Sequence, residues 1–144
     1  MRLFDRANQH AIVWVKDMMA ELGIKDARKG LHALRAGLHA LRDRLSVDEA
    51  AQLSAQLPLI VRGLFYEGWH PRGKPLRIRR RADFLKLVRA KYAPRTDAAA
   101  DDIVTALFRV LNRHVTGGEL ANVMLSLPGE LIEVAEGRPQ ERDY

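Results

Sequence analysis

Residues 38–58 read LHALRDRLSVDEAAQLSAQLP and residues 108–128 read FRVLNRHVTGGELANVMLSLP. Set over one another at an offset of seventy, the two stretches align without a gap and end on the same pair, Leu57-Pro58 and Leu127-Pro128. Each begins with apolar residues at helical spacing: Leu38, Leu41 and Leu45 in the first, Phe108, Leu111 and Val115 in the second. That spacing places them on one face of an α-helix. A hydroxyl residue then stands three positions before a glutamate, as Ser46…Glu49 and Thr116…Glu119. This is the capping-box pattern that opens a new helix. The closing proline turns the chain, because the residue before it avoids helical angles while proline itself suits a helix's first turn. The repeated order of striped helix, cap, helix and corner predicts an all-α protein.

The rest of the chain extends the same plan. Ala7, Ala11, Trp14, Met18 and Leu22 predict a first helix over 4–22, widened by Val15 and Met19 and stopped at Gly23. Asp26 is placed to cap a second helix over 27–45, along which Leu31 and Leu34 lengthen the leucine stripe. The third helix runs to about Leu57, and a short fourth over 58–66 carries Ile60, Val61, Leu64 and Phe65. In the second half Phe84, Leu85 and Val88 replace Trp14, Val15 and Met18, and Pro94 ends that helix. Thr96 or Asp97 caps the next, Leu131 and Val134 replace Val61 and Leu64, and Gly137 and Pro139 close the structure. The expectation is a tandem duplication of an about 70-residue, four-helix unit, with repeats 4–70 and 71–137 packed pseudo-symmetrically into one helical bundle. Each half is marginal alone, so the chain reads as a single globular domain 1–144 with a short flexible tail 138–144.

The halves differ on their second helix. Gly30, Ala33, Gly37 and Ala40 form a stripe of small residues whose counterparts are Ala100, Ile103, Leu107 and Val110. An interior glycine costs a helix about 1 kcal/mol relative to alanine, so something must offset it. A close crossing of these two helices, the large side chains filling the space left by the small, would do so. The plain alternative is that both glycines face solvent.

Composition sets the outer bounds. The 144 residues are 47% hydrophobic and 29% charged, ordinary for one domain and enough for a core. The absence of cysteine excludes disulfides, thiolate nucleophiles and sulfur-ligated metals, and it fits a reducing cytoplasm. Asp5, Arg6 and His10 interrupt the start where a signal peptide needs an apolar run, and Ala11–Val15 is far too short to span a membrane. The net charge of +6 is unevenly spread: residues 71–95 hold ten Lys/Arg against one acid, whereas residues 96–144 hold four against nine.

The leucine-striped helix, the (Ser/Thr)-x-x-Glu cap and the Leu-Pro corner, with Tyr66-Glu67-Gly68-Trp69 closing the first copy, resemble a bacterial family. It is known as a conserved domain of unknown function, made of small, helical, internally duplicated proteins. The resemblance covers about Trp14 to Val134 and is most specific over Ser46–Pro58 and Thr116–Pro128. It implies a bacterial, cytoplasmic setting and no activity, cofactor or catalytic residue.

One stretch stands out as a candidate site. Arg72, Lys74, Arg77, Arg79, Arg80 and Arg81 join the two copies without an intervening acid, just after Tyr66 and Trp69. Cations of this density contact phosphates, and the two rings are suited to stack on bases. The competing reading is a solvated linker, since two prolines and a glycine favour a loop and charge alone speaks first to solubility. Thr116-Gly117-Gly118-Glu119 precedes a helix and could offer amides to an anion, but it lacks a full phosphate-loop pattern. His32 and His39 are seven apart, not the four of a helical metal pair. Asp48-Glu49 and Asp101-Asp102 are explained by helix capping, and no serine lies in a nucleophile elbow. No catalytic, cofactor or metal residue nominates itself. The expected function is a non-catalytic protein-interaction or regulatory module with a protein partner. Sequence-nonspecific nucleic-acid or polyanion binding through 72–81 is the second reading.

Overall fold

The structure, a computed structural model, describes residues 1–92 and 98–140. These residues form eight α-helices and no strand: α1 Asp5–Leu22, α2 Ala27–Arg44, α3 Val47–Ser54, α4 Leu59–Tyr66, α5 Arg81–Tyr92, α6 Ala100–His114, α7 Gly117–Leu125 and α8 Gly129–Ala135. Each half supplies two longer helices followed by two short ones.

Local signals account for the boundaries. α1 stops at Gly23, whose φ of 67° is the left-handed conformation that glycine adopts without penalty. Asp26 caps α2 by accepting from the amides of Arg28 and Lys29. Ser46 and Glu49 form the complete capping box on α3. α3 ends at Ser54, three residues short of the expected Leu57, because a turn precedes Pro58. Arg62 of α4 holds this corner, its Nε donating to the Ser54 carbonyl at 2.8 Å and its Nη2 to that of Leu57 at 3.0 Å. The corner prolines have the same backbone, φ −60°, ψ 157° at Pro58 and φ −60°, ψ 156° at Pro128.

Thr116 only half repeats the Ser46 box. Its hydroxyl accepts from the Glu119 amide, but its own N–H donates to Gln56 Oε1 at 2.8 Å rather than to Glu119. Gln56 Nε2 also donates to the Thr116 hydroxyl, so the end of α3 is tied to the start of α7. The expected caps Thr96 and Asp97, and the stop at Pro94, lie outside the described residues; α6 itself begins after Ala99. Arg138, assigned to the flexible tail, is held, its carbonyl accepting from Arg81 Nη1 at 2.7 Å.

α2 and α6 are the central helices. α2 packs on α1, α4, α5 and α6, and α6 also meets α1, α5, α7 and α8. Trp14, Leu34, Leu38, Phe65, Val88, Leu107 and Leu131 belong to one apolar cluster drawn from both halves. At the crossing, a Cβ on Gly37 would stand 3.2 Å from Leu107 Cδ2 and 3.5 Å from Ile103 Cγ2, so this glycine meets the large residues expected of it. Gly30 does not. A Cβ there would meet Met19 Cγ at 2.5 Å and the Val15 carbonyl at 3.4 Å, both on α1. The small stripe therefore serves two neighbours, since a helix surrounded on several sides turns successive small residues toward different partners.

Leucine at position 37 would overpack this crossing. Gly37→Leu is expected to lower stability by about 1–3 kcal/mol in urea unfolding followed by circular dichroism. The loss should shrink in a Leu107→Ala background, because the two side chains compete for one space.

Candidate functional site

The C-terminal ends of α2 and α4 meet at a polar network. The last carbonyls of a helix have no partner within it and must find donors elsewhere. Arg42 supplies them, its Nη1 donating to the Phe65 carbonyl at 2.9 Å and also to that of Glu67. His39 Nε2 donates to the Leu64 carbonyl at 2.7 Å, which assigns the ring proton to that nitrogen. Asp43 receives Arg42 Nε at 3.1 Å and Lys91 Nζ of α5 at 3.0 Å. Burial works to raise the pKa of Asp43, and the bonds from Lys91 and Arg42 outweigh it, holding the carboxyl below its ordinary range. Burial lowers the pKa of His39, the nearby positive charges of Arg42 and Lys91 add to this, and the bond to Leu64 opposes it.

The connection between α4 and α5 is stitched to the same end. The Leu76 amide donates to the Asp43 carbonyl at 2.8 Å, and Arg44 Nε donates to the Ile78 carbonyl at 2.7 Å. Ile78 packs on the core, while Arg72, Arg77, Arg79 and Arg80 are exposed and Lys74 is half-buried. These five cations have no ion-pair partner among the described residues. Arg81 is set apart from them. It is 7% exposed, bonds the Arg138 carbonyl and lies 4.0 Å from Asp101, so its charge is used inside the fold. The aromatic pair is also occupied. The Tyr66 hydroxyl donates to Ser54 Oγ at 2.8 Å, the rings of Tyr66 and Trp69 lie 5.4 Å apart and tilted by 55°, and both pack on the core.

A second ionic cluster lies between α1 and α6. Glu21 receives Arg109 and Arg113, while Asp17 receives Arg113 and, at 2.7 Å, His114. The His114 ring stacks on Trp14 with centroids 4.8 Å apart. Glu21 and Arg113 stand seventy residues from Lys91 and Asp43, so the same paired positions carry opposite signs at the α1–α6 and α5–α2 contacts.

An apolar groove opens on the face formed by α1, α2 and α4. Its volume is about 540 Å³, within the range of ligand-sized sites. Ile12, Val15, Met19, Leu31, Ile60 and Leu64 line it, and Lys16 and Arg28 are its charged lining residues. Ile12 is 50% exposed, a large apolar side chain left uncovered by its own fold. Sequence reading missed this groove. Its only trace was Val15 and Met19, which widen the apolar stripe of α1 beyond what one neighbouring helix covers.

Gly117 and Gly118 open α7 at an exposed turn, and the Glu119 amide there is taken by Thr116. No group of three or more His, Asp or Glu suited to a metal occurs among the described residues. None of their helices is long and apolar enough to cross a membrane.

Comparison with known families places the chain. The model of the uncharacterized conserved protein family DUF2267 matches residues 13–134. The chain belongs to that family. No curated protein matches it. The DUF2267 match begins within α1 and ends within α8, so it takes in the polar network, the basic connection and most of the groove lining, while Asn8, Ala11 and Ile12 precede it.

A histidine whose folded pKa is lowered favours the neutral form in the folded state. As the pH falls below about 6.5 the unfolded chain takes up a proton that the folded chain resists, so stability declines with acid. Above that pH the contribution is level. His39→Gln, which keeps a donor for Leu64 but cannot titrate, is expected to remove this part of the decline. Urea midpoints at pH 7, 6 and 5 for the two proteins check it.

Proposed function

We propose that this protein is a non-catalytic interaction module that receives the apolar face of an amphipathic helix from another protein. The observation that carries this reading is the open groove between α1, α2 and α4, with Ile12 exposed at its surface. Grooves of this kind accept side chains at i, i+3, i+4 and i+7 from a docked helix. Lys16 and Arg28 fix the sign of the partner. Among the described residues no acid lines the groove, and the chain carries a net +6, so the favoured helix has glutamates or aspartates flanking its apolar stripe. A regulatory role in a bacterial cytoplasm, carried by a unit duplicated and fused at an offset of seventy, is part of the same proposal. The matching corner prolines and the reversed ion pairs support that ancestry.

A second reading, polyanion binding through residues 72–81, is supported by a different feature, five cations held on a stitched connection with no ion-pair partner among the described residues.

The groove is tested with a designed helical peptide of about 18 residues, leucines along one face and glutamates beside them, compared with a lysine version. The acidic peptide is expected to bind more tightly and to shift the NMR signals of Ile12, Val15, Leu31 and Leu64. Ile12→Asp should abolish those shifts without unfolding the protein, since that side chain is half exposed. Equal binding of both peptides, or shifts elsewhere, would reject the assignment. Concentration-dependent dimerisation lost in Ile12→Asp would assign the groove to a second copy instead.

A further inference from the structure

We infer that the connection between α4 and α5, continued by the exposed face of α5, binds a chain of closely spaced phosphates through charge alone. This rests on the second reading above and narrows it to the phosphate groups, excluding recognition of bases. A nucleic-acid backbone and inorganic polyphosphate both supply this chemistry.

Three observations carry it. First, the cations here are uncompensated among the described residues. Arg72, Lys74, Arg77, Arg79 and Arg80 lack an acidic partner, and Lys86 and Arg89, three apart on the exposed side of α5, outnumber its one exposed acid, Asp83, and extend the positive field. Charges brought together without partners repel one another, and a bound polyanion relieves this.

Second, the connection is seated on the fold. Its backbone is bonded at Leu76 to Asp43 and at Ile78 to Arg44. Along it, Leu76 and Ile78 are half-buried while Arg77 and Arg79 are exposed. Cations presented from an anchored backbone need less ordering on binding than those on a free linker.

Third, the two aromatic side chains that precede the stretch, Tyr66 and Trp69, are half-buried and turned into the fold. Tyr66 and Trp69 pack on one another and toward the core, and the Tyr66 hydroxyl is engaged by Ser54. With both rings drawn toward the core, the exposed cations are left to contact phosphates.

The test uses the full chain with a labelled single-stranded oligonucleotide of about 20 nucleotides, a duplex of equal length, and polyphosphate as competitor. Four to five phosphate contacts predict an affinity that falls about 50- to 130-fold for the single strand between about 50 and 200 mM salt. The variant carrying Arg72→Gln, Arg77→Gln, Arg79→Gln and Arg80→Gln should lose most of the binding and flatten that dependence, with an unchanged circular-dichroism spectrum. Trp69→Leu and the groove pair Lys16→Gln with Arg28→Gln should leave it intact. Displacement of both nucleic acids by polyphosphate supports the inference. Binding to nucleic acid that depends on these arginines but resists polyphosphate would overturn the restriction to phosphates and keep the second reading. Absence of binding at about 50 mM salt, or an unaltered salt dependence in the quadruple variant, would overturn both.

Discussion

The close crossing of α2 and α6 is the contact on which the rest of the architecture depends. Protein interiors are packed without voids, so a leucine as large as Leu107 can reach α2 only where the facing position has no side chain. Gly37 provides that position. The helical penalty of glycine is thereby offset by apolar burial across the crossing, where Ile103 and Leu107 are almost fully enclosed. Once α2 and α6 touch, α1 is brought against α6 and α5 against α2, and the two halves share one core.

Electrostatics then distinguish contacts that packing alone leaves alike. Glu21 with Arg113 and Lys91 with Asp43 join equivalent positions with opposite polarity. Were α1 to take the place of α5 against α2, Glu21 would face Asp43, and like charges at such short range are unfavourable. The reversed pairs therefore favour the observed partners over the exchanged ones. The Asp43 end of α2 has a further task, because Arg42 and His39 supply donors to the closing carbonyls of α4 while the Asp43 carbonyl seats the following connection. One helix end thus closes its neighbour and positions the exposed arginines beyond it.

Much of this was legible in the linear chain. The capping box at Ser46, the cap at Asp26, the glycine stop at position 23 and the proline corners involve residues within a few positions of one another. Their physics is local, so spacing is enough to find them. The small stripe was readable as a sign of close packing, and Gly37 met its expected partners. Gly30 met α1 instead, because the direction of each face depends on how many helices surround α2. Thr116 shows the same limit, since Gln56, sixty residues away, takes the amide that a local capping box would use. Within the basic stretch, charge density was plain from composition. The withdrawal of Arg81 into the fold was not, because its acceptor is the carbonyl of Arg138.

The chain by itself determined the helices, their caps, the corners and the concentration of positive charge, for these follow from backbone preferences and the nature of neighbouring side chains. Tertiary structure alone decided which apolar faces were covered and which charges were neutralised. Ile12 and Trp14 lie on the same helix, yet one lines an open groove and the other is buried beside His114. Arg80 and Arg81 are adjacent, yet one faces solvent and the other is enclosed. Coverage and charge compensation depend on groups far along the chain, and only their assembly in space brings those groups together.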